Sequence, residues 1–293
     1  MSSHRCSVCA RTEAMARSMH QARLYVVSTM EKIGAALRLM IWSIFVRVAN
    51  LPPRWLRVDL SAVWTICSSN GIVLSRQQLE AIERYERELR YWNERINLVS
   101  RKDIDHLLER HILHSLAVLR AVEIPPKARC MDVGTGGGLP GIPLIIARPD
   151  LQMVLVDSVR KKVRTAEMLA RHTGHRFVEV RCARVEELAE REPSFRASVD
   201  VIIARAVAQT RTLLEWTAPL VKPSGMHLLL KGGDLQDEIE AARAAFPMAT
   251  ILERPLRLRG VPWLEEQQKK LVIVTWGSVQ NSSHFPAATQ CAT

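Results

Sequence analysis

The chain has 293 residues, of which 47% are hydrophobic and 24% charged, and its net charge is +11. This composition is that of a globular protein and excludes the disordered and fibrous classes. The six cysteines are scattered along the chain, which excludes a disulfide-stapled secreted domain as the default. Residues 1–58 hold nine Lys and Arg against two acids, so the rest of the chain carries only +4. The folded part therefore gives weak support for an anionic partner.

Residues 1–58 form a basic N-terminal extension with a weak apolar periodicity and no helix caps. A basic RNA-binding arm or a start codon placed too far upstream explains it better than a targeting presequence, because such a segment rarely forms an independent helix. Its apolar run Leu39–Val46 is shorter than the roughly 20 residues that span a bilayer. Cys6 and Cys9 lack the second ligand pair of a zinc site. We expect a cytoplasmic protein with no membrane segment and no metal.

Two amphipathic helices are predicted within residues 59–128, which we interpret as a helical cap. Ser75 and Gln78 have the spacing of a capping box ahead of apolar residues at helical spacing. A second helix is predicted from near Asp103, and His111 lies on its apolar stripe. A packed histidine and a residue lining a cofactor or RNA cleft are equally good interpretations of His111. His114, at the flank of the stripe, is predicted to lie at the surface.

After Pro125-Pro126, short apolar runs alternate with helical segments through residues 129–277, and residues 278–293 form a tail. This alternation predicts an α/β fold with a parallel sheet covered on both faces. The last run follows a short charged turn, so it is expected to enter the sheet antiparallel. The seven predicted strands are Arg129–Val133, Met153–Asp157, Arg176–Val180, Asp200–Ala204, Met226–Lys231, Met248–Leu252 and Lys270–Trp276.

A glycine cluster, Gly134–Gly141, follows the first predicted strand and precedes a helix. Glycines let a ligand approach the backbone closely, and the helix N-terminus is expected to offer free N–H groups. Asp157 ends the next strand, 19 residues after Gly138, where its carboxylate suits the ribose of a dinucleotide or of S-adenosylmethionine. Asp132, just before the loop, suits the ammonium group of a methionine tail better than it suits a pyrophosphate.

The acid before the loop and the antiparallel last strand favour a methyltransferase over an NAD-dependent oxidoreductase that uses the same loop. A third interpretation is an adenosine-nucleotide sensor or RNA-binding module without turnover. Arg205 and Lys231 follow apolar strands at the edge where open α/β sheets bind ligands. Together with His111 they are the candidate catalytic residues. A contact with an RNA phosphate and a lysine without such a contact are equally good interpretations of Lys231. Two further basic groups are candidate phosphate contacts: Arg160, Lys161, Lys162 and Arg164, and Arg254, Arg257 and Arg259.

Eight segments in order resemble one family over roughly residues 60–277. They are Asn97–Ser100, Arg110–Ser115, Asp132–Gly136, Leu139–Gly141, Leu155–Ser158, Arg184–Glu187, Ala204–Ala206 and Leu230–Gly232. In order and spacing they are similar to the glucose-inhibited division protein B (RsmG) family. Members of this family are bacterial methyltransferases that act on guanine N7 in small-subunit (16S) ribosomal RNA.

The resemblance implies a seven-stranded Rossmann-like methyltransferase sheet with an N-terminal helical cap, and S-adenosylmethionine as the cofactor. It implies 16S ribosomal RNA as the substrate, and the low charge of the folded part favours folded RNA in a ribosomal particle. We expect a monomer in the cytoplasm. One departure is His114, which stands where the family has Asp. Guanine N7 carries a free lone pair, so its methylation needs no general base. The cofactor-binding residues implied are Gly134, Gly136, Leu139, Asp157, Val185, Glu186 and Arg205.

Overall fold

The computed structural model describes residues 58–175 and 178–276. The Cys6 and Cys9 pair and nearly all of the basic extension lie outside the described residues. The described part is built on a seven-stranded sheet in the order β3-β2-β1-β4-β5-β7-β6. Its strands are β1 Arg129–Val133, β2 Gln152–Asp157, β3 Val178–Cys182, β4 Val199–Arg205, β5 Val221–Gly232, β6 Ala249–Pro255 and β7 Lys269–Trp276.

The predicted α/β sheet is confirmed, including its antiparallel last strand. Strands β1 to β5 are parallel, whereas β7 pairs antiparallel with both β5 and β6. A dinucleotide-binding sheet has the order 3-2-1-4-5-6. Here β7 is inserted between β5 and β6, so this sheet departs from the dinucleotide pattern at that edge.

Three strands extend by more than one residue beyond their predicted bounds. The central strand β5 begins at Val221 rather than Met226, because Val221 already pairs with Val199 of β4. The edge strand β3 continues to Cys182, past the predicted end at Val180, because Arg181 and Cys182 pair with Val156 and Asp157 of β2. The sixth strand begins at Ala249 and continues to Pro255, because Glu253 and Arg254 also pair with β7. The polar residues at these strand ends pair with the neighbouring strand but do not extend the apolar run, so the apolar pattern of the sequence does not reveal them.

Helices cover both faces of the sheet, and two separate apolar cores result. Cys130 in β1 belongs to the core beneath the cap, and its neighbour Met131 belongs to the core on the opposite face. This alternation is the pleat of a strand buried on both sides. No helix in the described ranges has the length and apolar character of a membrane span. The helices are α1 Leu60–Ser69, α2 Arg76–Asn93, α3 His114–Leu116, α4 Val118–Ala121, α5 Gly141–Ala147, α6 Arg160–His172, α7 Val185–Arg191, α8 Thr210–Thr217, α9 Gln236–Ala245 and α10 Trp263–Glu266.

The predicted capping box at the start of α2 is confirmed. The Ser75 Oγ accepts from the Gln78 N–H at 3.2 Å, and the Gln78 Oε1 accepts from the Ser75 N–H at 2.7 Å. The Gln78 amide also donates to the carbonyls of Ile146 and Ala147 at 2.7 and 3.0 Å. These carbonyls end α5 and lack partners within that helix. The cap is thereby tied to the helix that follows the glycine cluster.

The second cap helix differs from the prediction. A short 3-10 turn, Ile104–His106, leads into a π-helical segment, Leu107–Leu113, which continues into α3. A π-helix closes its hydrogen bonds over five residues instead of four, so a stripe drawn at 3.6 residues per turn drifts out of phase. His114 is consequently buried, with 5% of its surface exposed, and its predicted surface position is wrong.

Helix α2 also clamps the glycine cluster. The hydroxyl of Tyr85 donates to the Gly137 carbonyl at 2.8 Å, and both groups are buried. A Cβ on Gly137 would lie 2.7 Å from the Leu89 Cδ1, so this packing leaves no room for a side chain. The cap therefore shapes the loop directly.

We expect Tyr85→Phe to lower the free energy of unfolding by about 1 to 3 kcal/mol, because it leaves the buried Gly137 carbonyl without its donor. Urea denaturation measures this difference. Tyr91→Phe is the matched control, since Tyr91 lies six residues further along α2 and is 51% exposed. Equal stability of the two variants would contradict the clamp.

Candidate active site at the glycine-rich loop

The loop between β1 and α5 depends on glycine for its backbone conformation. Gly134, Gly136 and Gly138 have φ values of 66°, 56° and 93°, which favour glycine over other residues. A Cβ on Gly134 would also lie 2.6 Å from Val207, a side chain that follows β4. Gly134 and Gly136 are half-buried, so their backbone remains accessible to a ligand.

Asp132 fixes the two ends of this loop from below. Its Oδ2 accepts hydrogen bonds from the Thr135 hydroxyl at 2.7 Å and from the Gly141 N–H at 2.9 Å. The side chain is fully buried, and its Oδ1 has no partner among the described residues. Burial raises the pKa of Asp132 to about 7, against the lowering effect of its two hydrogen bonds. Because this carboxylate lies in the interior, its predicted effect on a ligand ammonium group would act through space rather than by direct contact.

Most other backbone donors of the loop are already bonded within the protein. The Thr135 N–H donates to the Val156 carbonyl, and the Gly138 and Leu139 N–H groups donate to the Thr135 carbonyl. The Ile142 N–H, in the first turn of α5, donates to the Gly138 carbonyl at 2.7 Å. The expectation that this helix N-terminus offers free N–H groups is therefore wrong. A pyrophosphate needs such donors, so the loop is poorly suited to a dinucleotide.

Asp157 ends β2 next to the loop, as predicted from its spacing. Its Oδ2 accepts from the Gly136 N–H at 3.0 Å, and its Oδ1 accepts from the Val159 N–H at 2.9 Å. The residue is buried, with 7% of its surface exposed. Each carboxylate oxygen has a further lone pair that can accept from a ribose hydroxyl.

The remaining predicted cofactor residues lie on neighbouring elements. Leu139 is buried inside the loop, and Val185 is buried at the start of α7, the helix after β3. Glu186 is exposed and pairs with Arg184 at 3.3 Å. The carboxyl ends of the parallel strands β1, β2 and β3 meet at one edge of the sheet, where ligands bind in open α/β folds.

A second feature is a cavity of about 480 Å³ beside the loop. It borders the loop through Leu98, whose carbonyl would lie 3.7 Å from a Cβ on Gly136. Asn93 shapes this wall, because its buried Oδ1 accepts from the N–H groups of Leu98 and Val99 at 2.8 and 2.9 Å. The residues that carry its polar chemistry are Ser100, Asp103, Arg110, His111, His114, Arg205, Lys231 and Lys269.

The structure brings His111 and Arg205 together, although 94 residues separate them. An Arg205 Nη donates to the His111 Nδ1 at 2.7 Å. Arginine has no acceptor, so Nδ1 carries the lone pair and the proton of the ring sits on Nε2. Burial and the charge of Arg205 lower the pKa of His111 to about 3. His111 is therefore a neutral hydrogen-bond donor in this cavity. Ser115 donates to the His111 carbonyl at 2.6 Å and does not line the cavity.

Lys231 lines the cavity, but its charge is already paired. Its Nζ bonds Glu238 at 2.7 Å and donates to the Ala208 carbonyl at 2.5 Å, with the side chain only 12% exposed. The paired ammonium favours a structural lysine over one that contacts an RNA phosphate. This pairing has no local signal in the sequence, because Glu238 lies on α9 and reaches Lys231 only through the fold.

Sequence reasoning missed Asp103, Arg110, Trp263 and Lys269 as residues of this cavity. Asp103 Oδ1 accepts from an Arg110 Nη at 2.7 Å. Trp263 contacts the ring of His114 edge-on, with the ring centres 5.8 Å apart, and Lys269 lies 5.0 Å from the Trp263 ring. Arg110 belongs to Arg110–Ser115, one of the eight segments that resemble the family. Trp263 and Lys269 reach the cavity from the far end of the chain and carried no local signal.

The raised pKa of Asp132 predicts a pH-dependent stability. The carboxyl ionises near pH 3.8 when unfolded and near 7 when folded, so between these values the folded state binds one more proton. Stability due to this group therefore falls as pH rises, by at most about 1.4 kcal/mol per pH unit. Asp132→Asn cannot ionise, and we expect urea denaturation from pH 4.5 to 7.5 to show a smaller fall for the variant.

Asp150→Asn is the control for this measurement. Asp150 bonds Arg148, which lowers its pKa to about 2, so its substitution should leave the pH dependence above 4.5 unchanged. Parallel curves for Asp132→Asn and the wild type would show that the buried carboxyl does not titrate in this range.

Comparisons with known proteins agree with the loop geometry. Residues 78–259 match the family model GidB, described as rRNA small subunit methyltransferase G. The protein named "Ribosomal RNA small subunit methyltransferase G" in Chlorobaculum tepidum is 35% identical over 222 residues, covering 74% of this chain and 99% of the relative. The protein of that name in Christiangramia forsetii is 40% identical over 178 residues, covering 59% of this chain and 81% of the relative.

The match to the family model includes the glycine-rich loop, the strand that ends at Asp157 and the cavity residues up to Gly232. The comparisons do not support the alternative of an oxidoreductase, in agreement with the bonded loop donors and the position of β7. The fold, the loop and the similarity together identify the chain as a member of the rRNA small subunit methyltransferase G (GidB) family.

Proposed function

We propose that this chain transfers a methyl group from S-adenosylmethionine to N7 of a guanine in small-subunit (16S) ribosomal RNA. The main support is the structure of the glycine-rich loop, which lies within residues 78–259, the part of the chain that matches the family model. Most of its N–H donors are bonded within the protein, and the carboxylates of Asp132 and Asp157 accept two of these bonds. Such a site favours a cofactor that carries positive charge over one that carries phosphates.

The residues around the loop fit S-adenosylmethionine, which supplies an electrophilic methyl group when bound. Asp157 would accept hydrogen bonds from the ribose hydroxyls. The half-buried backbone of Gly134 and Gly136 would face the methionine part, with Leu139 beneath. Val185 and Glu186 would lie at the adenine. The buried charge of Asp132, whose Oδ1 has no partner among the described residues, would act on the cofactor's positive charge through space.

The chain needs to bind and orient the guanine rather than to remove a proton from it. N7 presents a lone pair, and holding two reactants in line supplies the main part of such a rate enhancement. His111 is neutral and bonded to Arg205, which suits it to donating a hydrogen bond. Arg205 ends β4 between the loop and the cavity, where it would face both reactants.

Exposed cations near the site would contact the RNA backbone. Arg101, Lys102, Arg160, Lys161 and Arg164 form no ion pair within the part of the chain that the structure describes. In contrast, Arg254 donates to the Ala121 carbonyl, and Arg257 lies 3.6 Å from Glu265. The net charge outside residues 1–58 is only +4, which favours folded RNA in a ribosomal particle over naked RNA. We infer a monomer acting in the cytoplasm.

We expect Asp157→Ala to weaken S-adenosylmethionine binding by roughly 10- to 100-fold, because it removes charge-assisted hydrogen bonds to the ribose. Isothermal titration of the purified chain measures the change. Glu167→Ala is the matched control, since Glu167 is a half-exposed acid on α6 whose one ion pair within the described residues is with Arg171, four residues later. Unchanged affinity in Asp157→Ala would reject the ribose assignment. Binding of NAD with no binding of S-adenosylmethionine would reject the cofactor.

The proposed reaction is tested with methyl-labelled S-adenosylmethionine and small ribosomal subunits from a strain that lacks this enzyme. Nucleoside analysis after incubation should place the label in 7-methylguanosine. Deproteinised ribosomal RNA, tested in parallel, should be methylated more slowly than the particle. Label in another nucleoside would contradict the N7 assignment, and no label despite cofactor binding would contradict the substrate.

A further inference from the structure

Three buried polar atoms without partners occur on residues that line the cavity beside the loop. They are the Nε of Arg110, the Nε2 of His111 and the Nε2 of His114. The two histidines are 8% and 5% exposed. Buried polar atoms in folded proteins nearly always have partners, and each one left alone costs free energy. Three of them around one cavity indicate a ligand that completes their hydrogen bonds.

The polarity of two groups is fixed by their neighbours. His111 receives a hydrogen bond from Arg205 on Nδ1, so its Nε2 is a donor. Asp103 receives one from Arg110 on Oδ1, which leaves Oδ2 as an acceptor. The His111 Nε2 and the Asp103 Oδ2 are 4.0 Å apart, too far for a hydrogen bond between them. A donor and an acceptor therefore stand side by side, each available to a third group.

This pairing discriminates between the ligands that RNA can offer. A phosphate presents only acceptors, and the Asp103 carboxylate would repel it. Guanine presents an acceptor, O6, beside a donor, N1–H, which complements the His111 Nε2 and the Asp103 Oδ2. Adenine presents the opposite pattern, with an amino donor beside the N1 acceptor. The cavity volume of about 480 Å³ lies within the range of small-molecule sites.

We propose that Asp103 and His111 are the specificity-determining residues for the target guanine, with the His111 Nε2–H donating to O6 and the Asp103 Oδ2 accepting from N1–H. This rests on the proposed function and extends it to base selection. Arg205 and Arg110 are positioning residues, because one holds the tautomer of His111 and the other holds the carboxylate of Asp103.

Single-atom changes in the substrate test the proposal on the unaltered enzyme. Once the methylated guanosine is mapped, small subunits are reconstituted with inosine or 2-aminopurine at that position. Inosine keeps O6 and N1–H, so its kcat/KM should stay within about threefold of guanosine. 2-Aminopurine keeps N7 but lacks both groups, so its kcat/KM should fall by about 100-fold or more. Rejection of inosine or acceptance of 2-aminopurine would overturn the proposal.

A protein variant separates recognition from a general loss of structure. Asp103→Asn should lower kcat/KM on guanosine by about 30-fold or more, with S-adenosylmethionine affinity and the melting temperature unchanged. Its amide can donate to the N1 acceptor of 2-aminopurine, so the preference for guanosine over 2-aminopurine should shrink. Asp105→Asn is the control, because Asp105 lies two residues away on the exposed side of the same turn, 3.5 Å from Arg90.

Failure of the proposed function and failure of the proposed base recognition give different experimental results. If the wild-type enzyme forms no 7-methylguanosine on unmodified subunits, the proposed function fails and base recognition fails with it. If the wild-type enzyme does form it and Asp103→Asn keeps the full preference for guanosine, only the assignment of Asp103 is overturned. A loss of cofactor affinity or of melting temperature in Asp103→Asn would likewise show a structural role.

Discussion

The buried carboxylate of Asp132 is the constraint on which the rest of the site depends. One of its oxygens bonds the Thr135 hydroxyl and the Gly141 N–H, so it joins the beginning of the glycine-rich loop to its end. A carboxylate in an apolar interior is costly, and burial raises its pKa to about 7. Tyr85 of the cap holds the same loop from the other side through the Gly137 carbonyl. The loop is thus fixed between the sheet and the cap before any ligand binds.

This fixed loop decides what kind of ligand the sheet edge can hold. Its N–H groups are directed inward to Asp132, Asp157 and the Thr135 carbonyl, so few remain for phosphate groups. The carboxylate of Asp157 bonds the loop directly, which favours a cationic cofactor over one that carries phosphates. The cap adds the second half of the site, because Leu98 borders both the loop and the cavity that holds Asp103 and His111. The glycine-rich loop and the cavity therefore share one wall.

Much of the fold and part of the site could be predicted from the sequence, because their signals are local. The apolar runs of β1 and β2, the capping box at Ser75 and the spacing of Asp157 from the loop depend on residues close together in the chain. The prediction for His114 failed, because the π-helical segment turns this side chain into the interior. The pairing of Lys231 with Glu238 depends on a distant partner, which no local signal reveals. Asp103 gained significance only once the fold placed it 4.0 Å from the His111 ring.

Amide hydrogen exchange of the chain without ligand measures whether Asp132 and the cap hold the loop in its folded conformation before a cofactor binds. The N–H groups of Thr135, Gly136, Gly138, Leu139 and Gly141 all donate to acceptors inside the protein. We predict that these N–H groups exchange as slowly as the amides of β1, and that their exchange rates change little when S-adenosylmethionine is added. If these amides exchange rapidly without ligand and become protected only when the cofactor binds, then the cofactor orders the loop. That result would contradict a loop held in place by Asp132 and the cap.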